Sequence, residues 1–207
     1  MNAWLDPVIK NYLHYFGKTD KPVVWEVGSR DGVDGVELAK RIYASQPNWF
    51  WSNATVVALE PNPTQADEII KKFPEIDLVR CAASNKQGEA DFIVYEGDEG
   101  AVGSSSLILD WKDDLKGRVI KVETIRLDQI ISDDQIDIMK IDVEGHSVEV
   151  LEGLGDKLKQ VKVYHIETEK WTDSNIKVKA FMMARGFLLV DETEQYGGMP
   201  DQVWVRA

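Results

Sequence analysis

The stretch Val23-Val24-Trp25-Glu26-Val27-Gly28-Ser29-Arg30-Asp31-Gly32 decides how this chain folds. Its first half is a short apolar run rich in β-branched and aromatic residues, which reads as a buried strand. Gly28 and Gly32 then let the backbone turn sharply and approach a neighbour or ligand that side chains would exclude. Beyond them Val36, Ala39 and Ile42/Tyr43 recur at helical spacing. A strand, a glycine turn and a helix in succession make the repeating unit of a parallel sheet.

Working outward, the alternation continues. Upstream, Leu5, Val8, Tyr12 and Tyr15/Phe16 space an amphipathic helix within residues 1–20. Downstream, Thr55 to Glu60 is a second strand, and the helix after it is expected to start at Thr64 as cap, carry Ala66, Ile69/Ile70 and Phe73 inward, and end at Pro74. Ile76 to Cys81, Ile136 to Ile141 and Val161 to Ile166 are the third, fourth and fifth strands, with helices marked by Val148/Leu151/Leu154/Leu158 and Ile176/Ala180/Met183. Two places break the rhythm. Residues 85–127 hold no long helical pattern but offer strands at Ala90 to Tyr95 and Val119 to Ile125 around a loop at Gly97 to Ser106, so extra strands are expected beside the third and fourth. The chain closes with Phe187 to Val190, a polar turn and Gln202 to Val205, an antiparallel hairpin. The expectation is one α/β domain over residues 1–207, with a mostly parallel seven-stranded sheet and helices on both faces.

Composition bounds the partners. With 36 acidic against 24 basic residues the net charge is −12, and such a surface repels phosphate backbones and anionic lipid heads. Neither nucleic acid nor a membrane is expected. The apolar stretches fall short of a membrane span, and the first residues lack the basic-then-apolar pattern of an export signal. The single cysteine, Cys81, excludes an intrachain disulfide. A cytoplasmic setting follows as the expectation.

In doubly wound folds ligands bind outside the carboxyl ends of the strands. The loop there, Glu26 to Gly32, reads Gly-x-x-x-Gly where a pyrophosphate cradle would read Gly-x-Gly-x-x-Gly, and the acidic Glu26 suits an ammonium or sulfonium better than a pyrophosphate. A purely structural turn fits these residues equally well. Glu60 ends the second strand, where a carboxylate can accept hydrogen bonds from both hydroxyls of a ribose, with Pro61 and Asn62 flanking the base. The alternative is a solvated strand-end carboxylate. The fourth strand delivers Asp142 and Glu144 to the same edge.

The string Lys140-Ile141-Asp142-Val143-Glu144-Gly145, with Val150-Leu151-Glu152-Gly153 after it, resembles the signature of the FkbM family of methyltransferases. Supporting matches are Glu26-Val27-Gly28 to Gly32, Glu60-Pro61-Asn62, Ala82-Ala83-Ser84-Asn85 with Gly88, Gly103-Ser104-Ser105-Ser106-Leu107, and Thr124-Ile125-Arg126-Leu127-Asp128, so that roughly residues 20–206 are covered. The resemblance implies a class I, Rossmann-like methyltransferase fold, whose sheet ends in an antiparallel hairpin. It also implies S-adenosylmethionine as methyl donor and O-methylation of a sugar, glycan or small-metabolite hydroxyl. Carried over by position, Glu26, Gly28 and Gly32 would surround the methionine part, Glu60 the ribose, and Ala83 and Ser84 the adenine edge, with Asp142 beside the transferring methyl. The chain departs from the family at Ser29-Arg30, where Ala-Asn is frequent, and at Ser147, where an acidic residue is frequent. Ser29 and Arg30 stay among the cofactor-binding candidates, Arg30 as a partner of Asp31 or of the cofactor carboxylate. A non-catalytic protein that keeps the fold is the competing reading.

Methyl transfer to an alcohol is an in-line displacement, so catalysis consists of alignment, exclusion of water and removal of the hydroxyl proton. Asp142, Glu144, His146 and Glu167 are the candidates for this work. His165, on the strand face of Glu167, reads first as a hydrogen-bonded core histidine. Asp142, Glu144 and Glu167 have oxygens suited to magnesium or calcium, but nothing in the sequence fixes their separation and no metal is predicted. Acceptor contacts are expected from the Gly103 to Ser106 loop, Trp111, Trp171 and the Tyr196-Gly197-Gly198 turn, whereas Trp49-Phe50-Trp51 reads as a hydrophobic plug.

Overall fold

A computed structural model describes residues 3–44, 50–97, 103–109, 116–132, 134–196 and 199–206. Trp49, Trp111, Gly197 and Gly198 lie outside the described residues. The central sheet consists of β1 (Val23–Val27), β2 (Thr55–Leu59), β3 (Asp77–Val79), β7 (Ile136–Ile141), β8 (Val161–Glu167), β9 (Phe187–Tyr196) and β10 (Met199–Arg206). Their order is β3-β2-β1-β7-β8-β10-β9. All neighbours run parallel except β10, which pairs antiparallel with β8 and with β9. The expected parallel sheet with a terminal hairpin is therefore present, and β1 and β7 lie side by side at its centre, where the strand order reverses.

Helices cover both faces. Val24, Val56, Ile138, Val163 and Val203 face α1 (Asp6–Phe16) and α2 (Val33–Ile42), whereas Val27, Leu59, Met139, Ile141 and Ile166 face α5 (Ser147–Gly153) and α6 (Ser174–Met183). The two-residue period of buried strands supplies both layers from one run of residues. α1 buries Val8, Ile9 and Tyr12, and the Tyr12 hydroxyl donates to Asp137 at 2.7 Å. Asp137 also accepts from the Val23 N–H and pairs with Lys162 at 2.6 Å. This buried carboxylate, at the amino end of β7, ties the N-terminal helix to the sheet on the side away from the strand ends that carry the site.

Three details differ from expectation. The helix α4 (Pro63–Lys72) is capped by Asn62, whose side chain accepts from the Thr64 N–H, because Pro63 takes the first helical position where its missing donor costs nothing. The third strand stops at Val79, where the Cys81 N–H turns back to the Val79 carbonyl. The inserted strands do not extend the main sheet. β5 (Gly88–Tyr95) and β6 (Gly117–Ile125) pair antiparallel with each other, and the short β4 (Ala82–Ala83) joins β6 to complete a separate three-stranded sheet. A three-residue β3 leaves little edge to pair with, while Phe92, Val94, Val122 and Ala82 give the second sheet its own small core. No helix among the described residues is long and apolar enough to cross a membrane.

Candidate active site

The cleft at the strand ends is lined by Gly28, Arg30, Leu59 to Asn62, Gln65, Cys81 to Ala83, Phe92, Gly103, Ser105, Leu107, Asp142 to Glu144 and His146, and encloses about 580 Å³ with its open mouth. Its floor exists because two backbones cross almost without clearance. A Cβ on Gly28, whose φ is +79°, would stand 1.8 Å from the Asp142 carbonyl oxygen, and the Gly28 and Ser29 N–H groups both reach the Leu59 carbonyl. Apolar walls from Leu59, Ala82, Ala83, Phe92 and Leu107 suit a heterocyclic base, and carboxylates stand along the rim.

Glu60 is the central group of this cleft. It is buried, and its two oxygens accept from the Arg30 N–H at 2.8 Å and the Asn62 N–H at 2.7 Å. Burial pushes its carboxyl up to about 7 against the pull of those two donors. It is thus a buried, loop-locking residue, not a solvated strand end, and each oxygen retains acceptor capacity toward the cleft.

Glu26, Ser29, Gly32 and Ser84 support the cleft from behind and are not among its lining residues. Glu26 turns beneath the loop, where it accepts from the Gly35 N–H of α2 at 3.0 Å. Burial raises it to about 8, opposed by Lys140 and reinforced by Asp34. The expected acidic rim at Glu26 is therefore absent, because an inward-facing β1 residue cannot reach the mouth. Gly32 packs on Ile69, Phe73 and Ile76 with φ +75°. Ser84 lies 3.0 Å from Nε2 of His146. Burial lowers the His146 pKa despite Glu149 and Glu152, so this ring is neutral at neutral pH, and it lines the cleft together with Asp142 and Glu144. Arg30, in the left-handed region at φ 57°, lays its guanidinium against Gly103 of the insertion. Ser106 fastens that insertion to the other wall by donating to the Glu144 carbonyl at 2.7 Å.

A second, polar pocket of about 670 Å³ opens on the α1–α2 side, lined by Trp4, Arg30, Asp34, Lys140, Asp142, His165, Glu167, Met199 and Asp201. Arg30 and Asp142 line both spaces. The pocket follows from register: Glu26, Lys140 and His165 are neighbours across three strands, and Glu167 pairs with Asp201 one step further out. Lys140 Nζ lies 2.7 Å from Asp142 and 3.4 Å from Asp34. Burial alone would depress this lysine, but Asp142, Asp34 and Glu26 outweigh it and keep it charged. Burial works against Asp142 too, yet Lys140 holds it ionised. Burial and the neighbouring Asp142 and Glu144 hold Glu167 protonated well above the usual carboxylate range.

His165 corrects the expectation of a hydrogen-bonded core histidine. It is 1% exposed, neither ring nitrogen has a hydrogen bond, and the Asp201 carboxylate stands 3.7 Å from Nε2. Ser147 is fully buried and donates to the Glu167 carbonyl, a hydrogen bond that an ionised carboxylate at 147 could not make. Lys140, Asp34, Trp4 and Asp201 were not singled out by sequence. Lys140 did leave a signal, as a lysine inside an apolar strand two residues from Asp142, on the same face. Asp34 and Asp201 arrive from distant elements with no local signal.

The fold is shared with methyltransferases of low sequence similarity. A human methyltransferase 10 domain containing protein aligns with a TM-score of 0.53 at 11% identity, over 100% of this chain and 83% of its own. The precorrin-6y C5,15-methyltransferase of Geobacter metallireducens aligns with a TM-score of 0.50 at 15% identity, over 96% of this chain and 86% of its own. In sequence, the hexuronic acid methyltransferase AglP of Haloferax volcanii is 24% identical over 174 residues, which are 79% of this chain and 62% of that protein. This chain thus spans less than two thirds of that relative's length. Residues 26–189 match the methyltransferase FkbM domain. That match takes in the glycine loop, Glu60, Asp142 and Glu167 together, and the chain, which has the class I methyltransferase fold, belongs to the FkbM methyltransferase family.

Proposed function

We propose that the chain methylates a hydroxyl of a sugar or glycan, holding the cofactor in the glycine-loop cleft and the acceptor in the adjoining polar pocket. The observation that carries this reading is the meeting of the two spaces at Asp142 and Arg30. When bound, S-adenosylmethionine supplies a sulfonium methyl carbon open to in-line attack. In this reading Glu60 accepts the ribose hydroxyls, Pro61, Asn62 and Ala83 flank the adenine, and Gly28 lets the methionine part lie against the strand ends. Asp142, fixed by Lys140, orients the acceptor hydroxyl, Glu144 is the group that takes its proton, and Glu167, held protonated, donates a hydrogen bond to the acceptor. Burial of these groups keeps water from competing.

A polar pocket edged by an indole and several carboxylates is suited to a polyhydroxylated ring, and the Haloferax relative, a hexuronic acid methyltransferase, points to the same acceptor class. Mass spectrometry of a glycan and sugar panel incubated with enzyme and S-adenosylmethionine tests this. A product carrying one methyl ether supports it. Transfer only to nitrogen or carbon acceptors overturns it.

A further inference from the structure

Asp142, Glu144 and Glu167 each offer a carboxylate oxygen, and the three oxygens lie within 4.8 Å of one another. They come from the end of β7, the left-handed turn after it and the end of β8, and all are half-buried. Asp142 lines both spaces, Glu144 the cofactor cleft and Glu167 the polar pocket. The trio therefore straddles the junction. Like-charged oxygens this close cannot all stay ionised away from bulk water without a cation or a proton between them. Lys140 answers for one charge, through a single oxygen of Asp142, and is shared with Asp34.

His165 is an independent sign of a missing ligand. It lines the same pocket as Asp142 and Glu167, is almost completely buried, and has no hydrogen bond at either ring nitrogen. A buried imidazole in that state costs free energy unless something inside the pocket completes it. Hard divalent cations keep several of their waters when held by a few carboxylates, and such a water is a donor for an imidazole nitrogen.

We propose that Asp142, Glu144 and Glu167 bind one hard divalent cation, of the magnesium or manganese class, at the boundary between the two pockets. All-oxygen ligands with no cysteine or histidine in the set select this class over zinc. The ion's open positions face the polar pocket, so it holds oxygens of the acceptor there. A vicinal diol or a hydroxyl beside a carboxylate is the matching chemistry. This assignment of the open positions rests on the proposed function; the cation site itself does not.

Calorimetric titration of manganese chloride into the metal-stripped protein, without cofactor, tests the site. The expected result is one saturable ion per chain, a rise in unfolding midpoint with the ion, and at least tenfold weaker binding in both Glu144→Gln and Glu167→Gln. Circular dichroism establishes that the variants are folded, and Glu167→Asp, which keeps the charge, should bind more tightly than Glu167→Gln. Absence of saturable binding, or equal binding by the wild type and both glutamine variants, overturns the proposal. S-adenosylhomocysteine binding is titrated separately. If that persists while manganese does not bind, the cation site alone fails; if manganese binds and the sugar panel stays unmethylated, the proposed function fails.

Discussion

Gly28 faces the carbonyl of Asp142 with no room between them: a Cβ on the glycine would stand 1.8 Å from that oxygen. The contact joins the glycine turn after β1 to the carboxyl end of β7, so it holds the glycine-loop cleft and the edge of the polar pocket in one frame. Gly28→Ala should force the two loops apart and add left-handed strain at φ +79°. The expected loss is roughly 3 kcal/mol of stability, read by urea unfolding. A loss below about 0.5 kcal/mol, the level of an ordinary surface substitution, would show that the backbones are not in this contact.

Arg30 pays for its position with a left-handed φ of 57°, while its N–H is held by Glu60. Asparagine tolerates that region better. Arg30→Asn should stabilise the chain by about 1 kcal/mol and raise the unfolding midpoint. A lowered midpoint would mean that the guanidinium's packing on Gly103 outweighs the strain.

Glu60 predicts a pH dependence. Its folded value, near 7, lies above its ordinary value of 4.5, so its contribution to stability is full below pH 4.5 and is lost as pH rises through 7. Relative to Glu60→Gln, the wild type should lose on the order of 3 kcal/mol between pH 4.5 and 8. Ribose hydroxyls favour the ionised carboxylate, so S-adenosylhomocysteine should bind more tightly as pH rises from 6 to 8. Parallel pH profiles for the wild type and Glu60→Gln would remove the residue from both roles.

At the opposite end of β7, Tyr12→Phe deletes one of the donors to the buried Asp137 carboxylate. The Val23 N–H and Lys162 remain, so a loss of about 1–3 kcal/mol is expected. Cofactor binding should be unchanged, since the network lies away from the cleft; a weakened cofactor would place α1 in control of the site.

Much of this was legible in the sequence because local pattern and tertiary role coincide. The run from Val23 to Gly32 announces strand, turn and helix, and Asp142 follows its apolar strand directly. Gly153 is a further case: a Cβ there would meet the Ser84 carbonyl at 2.2 Å, which gives the glycine of the second motif a packing reason. What stayed hidden depends on direction and on distant pairing. Glu26 carries the right charge but points under the loop, a fact set by strand alternation against α2. Thr64 yields its capping role to Asn62 because Pro63 starts the helix. The inserted strands look eligible for the main sheet until the short β3 leaves them to pair with each other. The polar pocket needs Asp34, Lys140, His165 and Asp201 from four separate elements, and only cross-strand register together with the packing of α2 on the sheet assembles it.

The account rests on a cofactor held between Gly28, Glu60 and Asp142, and calorimetric titration of S-adenosylhomocysteine at pH 8 tests it most directly. The predicted result is one molecule bound per wild-type chain with micromolar affinity, and binding weakened about tenfold, or 1.4 kcal/mol, in folded Glu60→Gln. No binding heat at any temperature from folded wild-type protein, or identical affinity in the variant, would contradict it.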